Sequence, residues 1–154
     1  MDVKAEVAKL IKDKQDEIKK LQQNANSTCE HILKNAKIIT DVTIPNDIRQ
    51  FITDVKIPDS VKSIGDATFS YCEALTSIEI PDSVESIGNA AFSYCTSLAS
   101  IKIPNSVESI GDYAFFDCNS LKEVLFKGKT MAEVKEMDYY PWGIQNESII
   151  KAAG

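Results

Sequence analysis

Cys29 and His31 are the one thiol and imidazole close enough in the chain to be read as nucleophile and base, the pairing a cysteine hydrolase needs. Two residues apart on a helix, their side chains diverge, so the pair fails as a catalytic unit. The other cysteines, Cys72, Cys95 and Cys118, stand 23 residues apart, and none of the four falls in a C-x-x-C or Cys/His spacing of the zinc type. Thiols at such an interval read as structural, each a small buried apolar group, and a reducing compartment fits them. No G-x-S-x-G, P-loop or dinucleotide fingerprint is present, and the carboxylates recur at repeating positions, so their number reflects copying. These residues point away from an enzyme and imply neither a metal nor a cofactor.

The cysteine interval belongs to a longer repeat. Stretches starting at Ile52, Leu75 and Leu98 run 23 residues each, and the second and third agree at 15 of 23 positions. Within one unit, Leu75, Ile78 and Ile80 have the spacing of a short strand with one apolar face, and Pro81 ends it because proline cannot donate to a ladder. Val84 and Ile87 start a second short strand, stopped at Gly88, where a positive φ is expected. Ala91, Phe92 and Cys95 then share a face as on a short helix. A single unit cannot bury this face alone, so the units must stack and share one core.

The signature IPxSVxxIGxxAFxxC, carried by three full units of which the first has Thr68 in place of the alanine, resembles the leucine-rich repeat of the BspA type from bacteria or their phages. The likeness covers Ile38 to about Phe126 and implies a short right-handed α/β solenoid with parallel sheet on one side. The expected organisation is an N-terminal helical cap over 1–37, repeats over 38–126 and a C-terminal helix and strand cap over 127–154. In the repeats, a truncated unit 38–51 precedes full units 52–74, 75–97 and 98–120 and a last strand 121–126.

The flanks read as follows. Val3, Val7, Leu10, Ile11, Ile18 and Leu21 have helical spacing, and their stripe is expected to cover the open end of the solenoid. A coiled-coil or docking helix that joins copies is the alternative, although Lys14 and Glu17 interrupt the seam. A break at Asn24 to Ser27 is expected, with Ser27 and Glu30 capping a second helix to Lys37 that buries Cys29, Ile32, Leu33 and Ala36. Pro45 lies 13 residues before Pro58 instead of 23, so the first unit is expected to lack its helix. Thr130 and Glu133 cap a terminal helix, with Tyr139, Tyr140 and Trp142 read as cap packing. The tail DYYPWGIQNESII resembles endings of such repeat proteins in bacteria and their phages.

Charge narrows the partner. Residues 52–120 hold ten acids against three bases, whereas the flanking segments are nearly neutral. Such a surface repels nucleic-acid phosphates and favours a protein partner with a basic surface. The positions expected to face it are Thr53 and Thr76, then Lys56, Glu79 and Lys102, then Glu85 and Glu108, and on the far side Tyr71, Tyr94, Tyr113 and Phe116. The resemblance implies protein binding on the sheet face and, in many relatives, adhesion at a cell surface. An inhibitor encoded by a phage or mobile element and a particle component docking through the first helix are the alternatives. With no apolar run long enough for a membrane and no leader-like segment, a cytoplasmic protein is expected.

Overall fold

The structure, a computed structural model, describes residues 2–39 and 44–154. It begins with one long helix, α1 (Val3–Leu33), whose N-cap Asp2 accepts from the backbone of Lys4 and Ala5. The break expected at Asn24 to Ser27 is absent, and Ser27 lies inside the helix. Tertiary contacts override the local signal: Asn26 turns its amide onto the solenoid, bracketed by Ala25, Cys29 and Leu33, all buried.

The end-cap expectation for the N-terminal stripe is also corrected. Val3, Val7, Leu10, Ile11, Ile18 and Leu21 are all exposed, between 41% and 66%, because only the last third of α1 lies on the repeats.

The repeats form two parallel ladders. In one, β1 (Ile38–Ile39), β3 (Ser63–Ile64), β5 (Ser86–Ile87) and β7 (Ser109–Ile110) stack in register. In the other, β2 (Asp54–Lys56) pairs with β4 (Ser77–Glu79), and β6 (Ser100–Ile103), β8 (Glu123–Lys127) and β9 (Ile150–Ala153) continue the same side of the coil. Inward positions fill the core, with Phe69, Phe92 and Phe115 stacked at centroid spacings of 5.5 and 5.7 Å. The family-like solenoid therefore stands as expected.

Three expectations inside the unit change. Ile38 and Ile39 pair with Ser63 and Ile64, so the opening unit supplies the second strand of a repeat, and what it lacks is the first. The edge of β2 that this strand would cover is held by α1 instead: Asn26 Oδ1 accepts from Thr53 N at 2.9 Å, and Asn26 Nδ2 donates to Thr53 Oγ1 at 2.8 Å. Of the rest of that opening unit, 40–43 lie outside the described residues, and a four-residue helix, α2 (Asn46–Arg49), follows.

The segment read as a short helix is instead a run of turns. Ala67 and Tyr71, Ala90 and Tyr94, and Tyr113 and Asp117 all have φ between 53° and 61°. Alternate N–H groups point along the solenoid: Ala67 to Asn89 O, Phe69 to Ala91 O and Tyr71 to Ser93 O, at 2.8, 2.8 and 2.9 Å. A helix would spend those donors on itself, so stacking of units selects the turn.

Gly88 does not have the positive φ expected of it. It is glycine because successive coils touch there: a Cβ would stand 2.6 Å from the backbone N of Asp66.

At the far end, Thr130 and Glu133 form the expected capping box of α3 (Met131–Lys135). Trp142 is fully buried, tilted on Phe126 at 5.4 Å, and its indole donates to Asp138 O at 3.0 Å. Tyr140 packs edge-on against it, while Tyr139 is exposed.

Candidate interaction surface

Each coil has a strand side, a second strand side and a turn side, and the residues expected to meet a partner divide among all three. On the first, Lys56 stands in register with Glu79, and Lys102 with Leu125. Lys56, Glu79 and Lys102 are exposed, yet among the described residues the ion pairs are Lys14 with Glu17 and Lys151 with Glu123. Lys56, Glu79 and Lys102 therefore alternate in sign without pairing. A groove of about 800 Å³ runs along this side, with Lys56, Lys102 and Lys127 set against Asp59, Glu79 and Asp82. Three cations and three carboxylates balance, so the acid excess of the repeats does not lie here.

Thr53 is not open for contact, being half-buried under Asn26, and Thr76 Oγ1 donates to the Thr53 carbonyl at 3.3 Å. On the second side, Glu85 and Glu108 are exposed and linked through their backbones, Glu108 N to Glu85 O at 2.8 Å.

The turn side brings four of the named residues into one cluster. Tyr71 and Tyr94 lie face to face, with centroids 4.5 Å apart and planes 6° from parallel. Phe116 stands edge-on to Tyr94 at 5.6 Å, and Tyr113 edge-on to Phe116 at 5.4 Å. The register explains the bend in this run. Asp117 occupies the left-handed position that Tyr71 and Tyr94 hold in the earlier units, and Phe116 one place earlier supplies the ring.

Tyr71 and Tyr113 are more than half exposed. Partial burial first, then Tyr71 and Asp117, push the Tyr94 phenol above its usual range. A carboxylate is thus set at the edge of the rings.

The thiols are part of the stack. Cys95 Sγ donates to Phe69 O at 3.2 Å and Cys118 Sγ to Phe92 O at 3.0 Å, rungs of the same stack. Burial pushes Cys29 up to about 11, and Cys72 and Cys118 up to about 12. Among the described residues no group of His, Cys, Asp and Glu could hold a metal ion, and no helix is long and apolar enough to cross a membrane.

Two residues that organise this surface are missing from the sequence expectations. Asn26 seals the sheet edge, and Arg49, buried to 6% exposure, donates to the carbonyls of Ala67, Thr68, Ser70 and Ile44. In the next unit, the equivalents Ala91 O and Ser93 O receive backbone N–H groups. Arg49 is the only arginine in the chain, in the unit that departs from the repeat, and that combination was the available signal.

Parallel ladders built from 23-residue coils, with a shared phenylalanine and cysteine core, define a leucine-rich-repeat solenoid. The chain belongs to the BspA type leucine rich repeat family, which matches residues 49–146 in six copies. Among solved structures it is similar to a T. pallidum leucine rich repeat protein, at 34% identity and a TM-score of 0.53, over 57% of this chain and 40% of that one. A leucine rich cell surface protein of Faecalibacterium prausnitzii matches at 26% identity and a TM-score of 0.54, over 78% of this chain and 33% of that one. The chain therefore spans less than half the length of either. No curated protein sequence matches it. Leucine-rich-repeat proteins are in general scaffolds for binding other proteins.

Proposed function

We propose that this chain is a non-enzymatic protein-binding module that meets its partner through the turn side, with Tyr71, Tyr94, Phe116 and Tyr113 as the contact and Glu73 and Asp117 as its acidic border. The observation that carries this reading is the single cluster of rings, exposed at Tyr71 and Tyr113. Clustered aromatic residues supply large contact area at low entropic cost, and they are enriched at interface cores. The partner presents basic groups, since cations are attracted both to ring faces and to the acidic repeats. Occlusion of a basic, nucleic-acid-binding surface would follow the same charge logic. The strand groove, balanced in charge, has the weaker claim.

The test is affinity capture from the native host at low and high salt, followed by titration of the partner so identified against Tyr94→Ser with Phe116→Ser. Loss of at least about tenfold in affinity, together with weakening at high salt, is expected of a hot-spot aromatic pair on an acidic surface. Unchanged binding by the doubly substituted chain contradicts the choice of face.

A second reading, display at a cell surface with an adhesive role, is favoured by the likeness to the F. prausnitzii cell surface protein, which extends over 78% of this chain. Antibody labelling of intact cells against lysed cells separates the two, because display requires signal before lysis.

A further inference from the structure

The run of rings ends abruptly at Tyr71. Tyr94 covers one of its faces, yet Tyr71 remains 54% exposed. The preceding coil contributes Ile44–Gln50, a segment without an aromatic residue, and its α2 does not continue the run of turns. Between that segment and the first full turn lies a hollow of about 830 Å³, open to solvent, whose walls include Pro45, Arg49, Ala67, Ser70, Tyr71 and Glu73.

Resting on the reading of the turn side as the contact surface, we infer that this hollow takes one aromatic side chain of the partner, a tyrosine above all, which lies on the bare face of Tyr71 and extends the intramolecular stack by one ring. Three features fit that occupant. A flat ring can repeat the face-to-face geometry that Tyr71 and Tyr94 already adopt at 4.5 Å. A phenol suits the row, because the two rings at this end of it, Tyr71 and Tyr94, are both phenols. The Glu73 carboxylate in the wall can accept the hydroxyl of a tyrosine. Selectivity then divides between two places: basic groups of the partner are read along the acidic border, and an aromatic anchor is read at the end of the stack.

The test uses the full chain and N-acetyl-tyrosinamide, followed by NMR, with N-acetyl-leucinamide and N-acetyl-argininamide as comparators. Saturable shifts at Tyr71, Ser70 and Glu73 are expected with the tyrosine amide, with affinity roughly threefold or more above either comparator. Gln50→Trp, which places a ring in the hollow from its opposite wall, should remove the response without touching Tyr71. Absence of saturable shifts, an equal response to the leucine or arginine amide, or a response that survives Gln50→Trp overturns the inference. If it falls while partner binding remains sensitive to Tyr94→Ser with Phe116→Ser, the binding face stands and only the anchor is wrong; insensitivity to both removes the face as well.

Discussion

Arg49 donates to the carbonyl oxygen of Thr68 at 2.7 Å, where the equivalent carbonyl of the next unit, that of Ala91, receives the N–H of Phe69. A side chain thereby does at the first coil what the backbone does at every later one. The substitution closes the open end of the turn ladder, and it keeps buried carbonyls from going unpaired.

Arg49→Met should consequently destabilise the chain by about 3 kcal/mol, because it strands several carbonyls that water reaches poorly. Arg49→Lys should recover only part of that loss, since one ammonium cannot fork to Thr68 O and Ile44 O together. Urea denaturation of the three chains measures both effects, and equal midpoints for all of them would remove Arg49 from this role.

The helix divides into two parts with different consequences. Deleting residues 2–21 should change stability by less than about 1 kcal/mol, because that stretch is exposed throughout. Leu33→Ala, at a fully buried position, should cost about 2–5 kcal/mol. If calorimetry ranks the two in the opposite order, the helix packs on the repeats differently from the way described.

Much of this was legible in the sequence because repetition amplifies it. Ile57, Ile80 and Ile103, or Phe69, Phe92 and Phe115, recur at one interval, and an apolar position copied three times reads as a stacking position. What was hidden occurs once. The S-x-x-E pair at Ser27 and Glu30 has the form of a helix start, but the bond from Asn26 to Thr53 joins residues 27 apart and no local rule sees it. Ile52 to Pro58 matches the repeat so well that Ile38 to Pro45 invites alignment with the same strand, and only the register of Ile38 and Ile39 against Ser63 and Ile64 reveals those two as part of the other. The sequence names the residues of the turn side without their geometry. That Tyr71 and Tyr94 touch follows from the 23-residue spacing, whereas Phe116 joins them only because Asp117 occupies the tyrosine position of the third unit.

Gly88→Ala should destabilise by about 1–3 kcal/mol despite an ordinary φ, since the added methyl meets the backbone of Asp66 and no flexible side chain can give way. Thermal denaturation checks this, and an unchanged midpoint would mean that the coils are spaced more widely there.

The buried thiols predict a pH response with a definite sign. Cys72 and Cys118 hold their protons up to about 12 in the folded chain, against an ordinary value of 9.0. The unfolded chain therefore loses those protons first, so stability is undiminished below pH 9 and falls as pH rises from 9 toward 12. Maleimide labelling at pH 7 should be slow for the folded chain and complete on unfolding. Rapid labelling of Cys72 or Cys95 in the folded chain is incompatible with the stacked core.

The most direct test of the account installs a photocrosslinking phenylalanine analogue in turn at Tyr113, on the exposed end of the ring cluster, and at Lys102, on the charge-balanced strand side. Irradiation with the partner should give covalent product from position 113 and little from position 102. Crosslinking confined to position 102 would place recognition on the strand groove and contradict the turn side as the binding face.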